Sequence, residues 1–103
     1  MKPENLYAGF VQLHILHHAS KGPIFGLWVV EELARHGYRL SPGTLYPTLH
    51  RMERAGYLTS QRQLAQGHFR RLYSITPTGL ETLAQAKDRV RELFRELLED
   101  LHD

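Results

Sequence analysis

The hydrophobic spacing of this chain changes period twice, and that alternation limits the folds open to it. Up to Gly56 the apolar residues recur every three or four positions, as one face of a helix requires. From Tyr57 to Ile75 they tend to alternate, as in a half-exposed strand, and from Leu80 the longer period returns. Three helices, a hairpin and a final helix are therefore predicted in that order. The 103 residues suit one compact domain, and 42% hydrophobic with 23% charged residues is a globular balance.

The first helix is expected over residues 4–19. Leu6, Phe10, Leu13 and His17 lie on one stripe, and Tyr7, Val11, His14 and His18 on the next. Ser20-Lys21-Gly22-Pro23 ends it, because glycine caps and proline cannot continue the hydrogen-bond ladder. The second helix is expected over 25–36, with Leu27, Val30, Leu33 and Ala34 apolar and Gly37 as a left-handed stop. The third opens with Ser41 as N-cap and Pro42 in the first helical position, where a missing N–H costs nothing. Leu45, Leu49 and Met52 mark its buried stripe; Thr44, Pro47, Arg51 and Arg54 lie opposite, flanked by Thr48 and His50. Gly56 stops this helix, and Pro47 should bend or loosen its first turns.

Residues 57–62 and 69–75 read as two strands joined through Ala65-Gln66-Gly67-His68. Phe69, Arg71, Tyr73 and Ile75 share one face of the second strand. The last helix begins with either Thr76 capping ahead of Pro77 or Thr78 capping in a box with Glu81. Its residues Leu80, Leu83, Lys87, Val90, Phe94, Leu97 and Leu101 alternate steps of three and four, a heptad seam broken only at Lys87. A helix of roughly 33 Å cannot bury that seam on about 75 residues of its own domain. A second copy of the chain is the expected partner, with Leu83, Val90, Phe94, Leu97 and Leu101 in the dimer interface. Residues 1–76 and 77–103 are thus expected to divide into a domain and a dimerisation helix.

Charge follows the same division. Residues 1–34 sum to −1, residues 35–72 to +6 and residues 73–103 to −3. Every cation of the middle segment is an arginine, the side chain that forks onto phosphates and guanine edges. Topology and charge together predict a mainly α fold with a small β-hairpin: a winged helix-turn-helix carrying a long C-terminal dimerisation helix. In such a fold the third helix enters the major groove and the hairpin lies along the backbone. Winged helices also serve as protein-interaction modules, which is the competing reading. Enzymatic function is not expected, since no nucleophile is paired with a base and the acids concentrate on the last helix.

The segments Ser41-Pro42-Gly43-Thr44-Leu45-Tyr46-Pro47-Thr48-Leu49-His50-Arg51-Met52-Glu53-Arg54-Ala55-Gly56-Tyr57-Leu58 and Arg70-Arg71-Leu72-Tyr73-Ser74-Ile75-Thr76-Pro77-Thr78-Gly79 resemble the PadR family of transcriptional regulators. Gly22-Pro23-Ile24-Phe25-Gly26 resembles that family's turn into its second helix. The resemblance implies a bacterial homodimer on palindromic operator DNA, released by a small aromatic or hydrophobic effector. The chain departs from the family pattern at Leu27, where a tyrosine is common, at the wing tip Gly67-His68-Phe69, and at Leu72-Tyr73.

Thr44, Thr48 and Arg51 are the expected groove contacts, with Ser41 and Tyr46 reaching phosphates and Arg54 beside them. Arg70 and Arg71 point to opposite strand faces, so at most one is expected on DNA. Trp28 and Phe94 are the candidates for stacking on an aromatic effector. His14, His17 and His18 have helical spacing suited to a metal ion. No third ligand with convincing spacing is visible, so neither metal nor cofactor is expected. Cysteine is absent, no apolar run reaches membrane-spanning length, and residues 1–5 carry no leader-like pattern, so a cytoplasmic location is expected.

Overall fold

A computed structural model of the chain describes residues 3–102, and the side chains of residues 6–99. Among the described residues there are four helices, α1 (Pro3–Ala19), α2 (Gly26–Arg35), α3 (Pro42–Arg54) and α4 (Pro77–His102). Three strands, β1 (Ile24–Phe25), β2 (Leu58–Ala65) and β3 (His68–Ile75), form one antiparallel sheet in the order β1-β3-β2.

The core gathers one stripe from each element. Val11, Ile15, Leu16 and Ala19 of α1 meet Val29 and Leu33 of α2 and Leu45, Leu49 and Met52 of α3. Ile24, Leu58 and Tyr73 close it from the sheet, and Leu83 from α4. The buried stripe of α3 is the predicted one. Those of α1 and α2 are shifted: Leu6, Tyr7 and Phe10 are exposed, as are Leu27 and Ala34, while Ile15 and Val29 are buried. In both helices several neighbouring positions are apolar, so periodicity alone leaves the angle of the buried face open.

The predicted stops hold. Gly37 and Gly56 follow α2 and α3 with φ of +90° and +88°. α3 runs unbroken through Pro47, which has no N–H to give the carbonyl four residues back. The hairpin is longer than expected because pairing continues to Ala65↔His68, closed by Gln66-Gly67 alone. Both turn residues have positive φ, +51° and +79°, the twist that matches a two-residue hairpin. β1 was not expected as a strand; it pairs Ile24 with Tyr73 and Phe25 with Leu72 at the far edge of β3.

Thr76 caps α4. Its Oγ1 accepts the Gly79 N–H at 2.9 Å and donates to the Gly56 carbonyl, while its own N–H reaches the Tyr57 carbonyl at 3.1 Å. Gly79 is buried here, and a Cβ would press on the Tyr57 carbonyl oxygen and come within 2.7 Å of Ile75 Cγ1. The start of α4 is thereby locked to the end of α3. Beyond Leu83 the helix leaves the core, and the molecule extends to 58 × 28 × 22 Å.

Candidate nucleic-acid interface

α3 stands on its fully buried Leu45 and Leu49 and turns the opposite side outward. Thr44, Pro47, His50, Arg51 and Arg54 are all exposed there. Ser41 has the extended backbone of an N-cap, and its carbonyl accepts the Thr44 and Leu45 N–H groups. Its hydroxyl makes no cap bond and donates instead to Thr44 Oγ1 at 3.3 Å. The positive end of the helix is thus left facing outward beside two hydroxyls.

Thr48 lies deeper than predicted. It is 7% exposed, so it sits beneath the outer face rather than on it. Its Oγ1 donates to the Thr44 carbonyl at 3.0 Å and accepts from Arg51 Nη2 at 3.1 Å. The hydroxyl's one proton and one of its two acceptor sites are used within the helix, the latter in fixing the Arg51 guanidinium. Tyr46 is half-exposed, and its ring lies over Gly26, where a Cβ would come within 2.6 Å of it. That approach packs α3 on the start of α2.

The wing projects beside α3. Arg70 and Arg71 are exposed on opposite faces of β3, as alternation requires, and each has a local partner. Arg70 stacks its guanidinium 3.7 Å from the centre of the Phe25 ring. Arg71 Nη1 donates to Ser60 Oγ at 3.1 Å, and Ser60 Oγ donates to Glu53 Oε2 at 2.8 Å. This chain ties the wing to the last turn of α3 through Glu53, the one acid of residues 35–72. Burial, followed by the Glu53 charge, pushes the neighbouring Tyr73 phenol above its ordinary pKa, so it stays protonated at neutral pH. At the wing tip Leu64 and Phe69 are exposed, with Arg62 4.3 Å above the Phe69 ring.

The remaining predicted residues fall into separate places. Leu83, expected in a dimer interface, is 5% exposed and belongs to the chain's own core, because the first turns of α4 lie on α1 and the sheet. Val90, Phe94 and Leu97 are exposed on α4, and the Leu101 side chain lies outside the described residues. A groove of about 480 Å³ runs between α1 and α4, lined chiefly by Phe10, Leu13, His17, Val90 and Phe94. Trp28 lines a different hollow with His18, Pro23 and Phe25, so Phe94 and Trp28 do not share a pocket within one chain.

His14 and His18 stand one helical turn apart on α1, and His36 at the end of α2 joins them, a neighbour the sequence reading missed. Burial lowers the pKa of His14, helped by the charges of His36, His18 and His17 and opposed by Glu32. His17 is exposed in the α1–α4 groove. Partial loss of water against the groove wall lowers its pKa too, followed by the charges of His18, Lys21 and Lys87.

A helix-turn-helix whose second helix is exposed, a hairpin wing and a protruding terminal helix define the winged helix-turn-helix class. Within it, this chain belongs to the transcriptional regulator PadR-like family, whose pattern matches residues 15–85. The transcriptional regulator Rv3488 of Mycobacterium tuberculosis is 51% identical over 88 residues, covering 85% of this chain and 82% of that one. A PadR family regulator from Eggerthella lenta superposes with a TM-score of 0.81 at 28% identity, covering 94% of this chain and 86% of the other. The Bacillus subtilis PadR in complex with operator DNA shares the fold, with a TM-score of 0.67 at 18% identity over 74% of this chain and 44% of its own. Among the described residues no helix is long and apolar enough to cross a membrane.

Proposed function

We propose that this transcriptional regulator binds palindromic operator DNA as a homodimer and acts by binding rather than catalysis. The observation that carries the reading is the outer face of α3, which has an open N-terminus at one end and, in its last turn, Arg51 held by a buried threonine. Thr44 and Arg51 meet the groove, with Arg54 at its edge and Ser41 and Tyr46 toward phosphates; Thr48 contributes through Arg51. One of Arg70 and Arg71 follows the backbone from the wing. Residues 1–76, with the first turns of α4 that pack on them through Gly79 and Leu83, form the reading unit, and the rest of 77–103 supplies the dimer through Val90, Phe94, Leu97 and Leu101. Half-sites then lie roughly 34–36 Å apart, one turn of duplex.

Selection of bound duplexes from a random library tests all three elements together. The expected product is an inverted repeat with that spacing, bound with an affinity that falls steeply from about 50 to 200 mM salt. Recovery of no sequence preference, with weak salt dependence, would sink the reading. It would favour the protein-interaction alternative, for which the exposed Leu64 and Phe69 at the wing tip are the supporting observation.

The finer reading is repression relieved by a small hydrophobic or aromatic effector in the cytoplasm. Its support is the pair of apolar hollows beside Phe94 and Trp28. A panel of small aromatic compounds is expected to include one that both shifts Trp28 emission and releases the duplex. If none does either, the effector half of the reading fails.

A further inference from the structure

Two helices each carry a pair of metal-type ligands four residues apart. On α1 the pair is His14 and His18; on α2 it is Glu32, with His36 just beyond the helix. Side chains separated by four lie one above the other on a helix, so each pair presents one edge, and packing turns the two edges together. One ligand nitrogen each from His14, His18 and His36 lies within 4.8 Å of the other two. The His14 and His36 rings stack with centroids 5.0 Å apart, and His18 stands 6.3–6.4 Å from both. Glu32 Oε1 lies 3.2 Å from His36 Nε2 and 3.7 Å from His18 Nε2.

We propose that His14, His18 and His36, with the Glu32 carboxylate, form a site for one borderline divalent transition-metal ion, with Zn²⁺ as the test case. Three imidazoles and a carboxylate are donors suited to Zn²⁺, Co²⁺ or Ni²⁺. The absence of thiolates disfavours Cu⁺, and the nitrogen majority disfavours Ca²⁺ and Mg²⁺. Nitrogens about 2.0–2.1 Å from a tetrahedral ion sit roughly 3.3 Å from one another. The set must therefore close by somewhat more than an ångström, which side-chain rotation can supply, since His36 is exposed and its contacts, the His14 ring and the Glu32 carboxylate, belong to the same site. Glu32 takes the fourth position or accepts the free N–H of a ligating imidazole. Its Oε2 is also 3.6 Å from Arg35 Nη1, a largely exposed arginine that can turn away.

His17 is the internal control. Its ring stands 5.1 Å from that of His18 and, like His14, it lines the α1–α4 groove, but its nitrogens are not among those that converge. An ion at the cluster would fasten α1 to the end of α2. Since α2 packs on α3 through Gly26 and Tyr46, the site joins the helix lining the apolar groove to the helix-turn-helix.

The test is titration of the tag-free full chain with Zn²⁺ alone, followed by calorimetry and by Trp28 emission. Trp28, the one tryptophan, stands edge-on to His18 with centroids 5.2 Å apart and so reports on that ring. One ion per chain is expected, with a change in Trp28 emission saturating at the same stoichiometry. Co²⁺ should give the intense visible bands of a tetrahedral site. His14→Ala and His36→Ala are each expected to weaken binding by more than the roughly 10–100-fold typical of lost outer-shell partners, while His17→Ala leaves it unchanged. His36 is exposed at a helix end, so His36→Ala retains the fold, and unchanged circular dichroism checks this. Absence of saturable binding overturns the proposal. So does equal loss in His17→Ala and His36→Ala, or full stoichiometry retained in the His14→Ala, His36→Ala double variant.

Discussion

Thr48→Val separates a residue that touches DNA from one that only aims its neighbour. Valine keeps the shape of threonine and removes Oγ1, the atom that links the Thr44 carbonyl to Arg51 Nη2. The Thr44 carbonyl lies within α3 and keeps its ladder bond from the Thr48 N–H, so no buried acceptor is orphaned. Stability should then change by less than about 1 kcal/mol in either direction. A hydrogen bond to a charged group is worth roughly 1.5–3 kcal/mol when shielded. Arg51 is exposed, however, and solvent screening reduces the figure to about 0.5–1 kcal/mol. Operator affinity should fall roughly two- to fivefold. Arg51→Ala removes the contact itself, costing about 1–3 kcal/mol and lowering the salt slope by about one. In the Arg51→Ala background Thr48→Val should cost nothing more, so the coupling equals the whole Thr48 effect. Fluorescence anisotropy with a labelled operator duplex at several salt concentrations measures all four proteins. Equal losses from Thr48→Val with and without Arg51 would refute the positioning role and put the threonine hydroxyl on DNA directly.

Three further outcomes are expected. Gly79→Ala forces a Cβ against the immovable Tyr57 carbonyl; overpacking costs up to about 3 kcal/mol, so urea unfolding should show a net loss near 2 kcal/mol despite alanine's better helix propensity. An unchanged midpoint would mean that α4 can shift off the Gly56-Tyr57 turn. Val90→Asp with Leu97→Asp changes exposed residues of α4, so the chain should keep its helicity but sediment as a monomer that binds DNA poorly; a persistent dimer would move the interface elsewhere. Gln66→Asn places a residue tolerant of left-handed backbone at φ +51° and should raise stability by about 0.5 kcal/mol, part of the roughly 1–2 kcal/mol cost of that conformation. A loss of stability on thermal melting would show that the Gln66 side chain holds the wing tip.

The separation between what is local and what is not runs through particular residues. Ser41-Pro42, Gly37, Gly56 and Gln66-Gly67 act within a few residues of themselves, so caps, stops and the hairpin turn could be read along the chain. The choice between Thr76 and Thr78 could not, because the Gly56 and Tyr57 carbonyls that hold Thr76 lie about twenty residues away. β1 is two residues long and exists only because β3 offers an edge to it. Leu83 fits the heptad as well as Val90 does, yet one is core and the other exposed; where α4 leaves the domain decides between them.

The candidate sites divide in the same way. Thr44, Arg51 and Arg54 were legible because helical period places them opposite Leu45, Leu49 and Met52. The hydroxyl of Thr48 was not, since its inward rotation depends on how deeply α3 sinks into the core. Arg70 and Arg71 could be assigned opposite faces, but their partners Phe25 and Ser60 come from other strands. His14 and His18 announced a shared edge by their spacing. His36, eighteen residues beyond His18, joins that edge only after α2 folds back along α1.

Sequence by itself determined the order of the four helices and the hairpin, the stops after the second and third helices, the concentration of arginine between residues 35 and 72, and the family pattern. These rest on period, capping and charge, which act over one or two turns of chain. Tertiary structure decided which apolar stripe is core, which threonine is buried, and which histidines meet. Each of those outcomes is set by the angle at which one helix packs against another, a quantity no single segment contains.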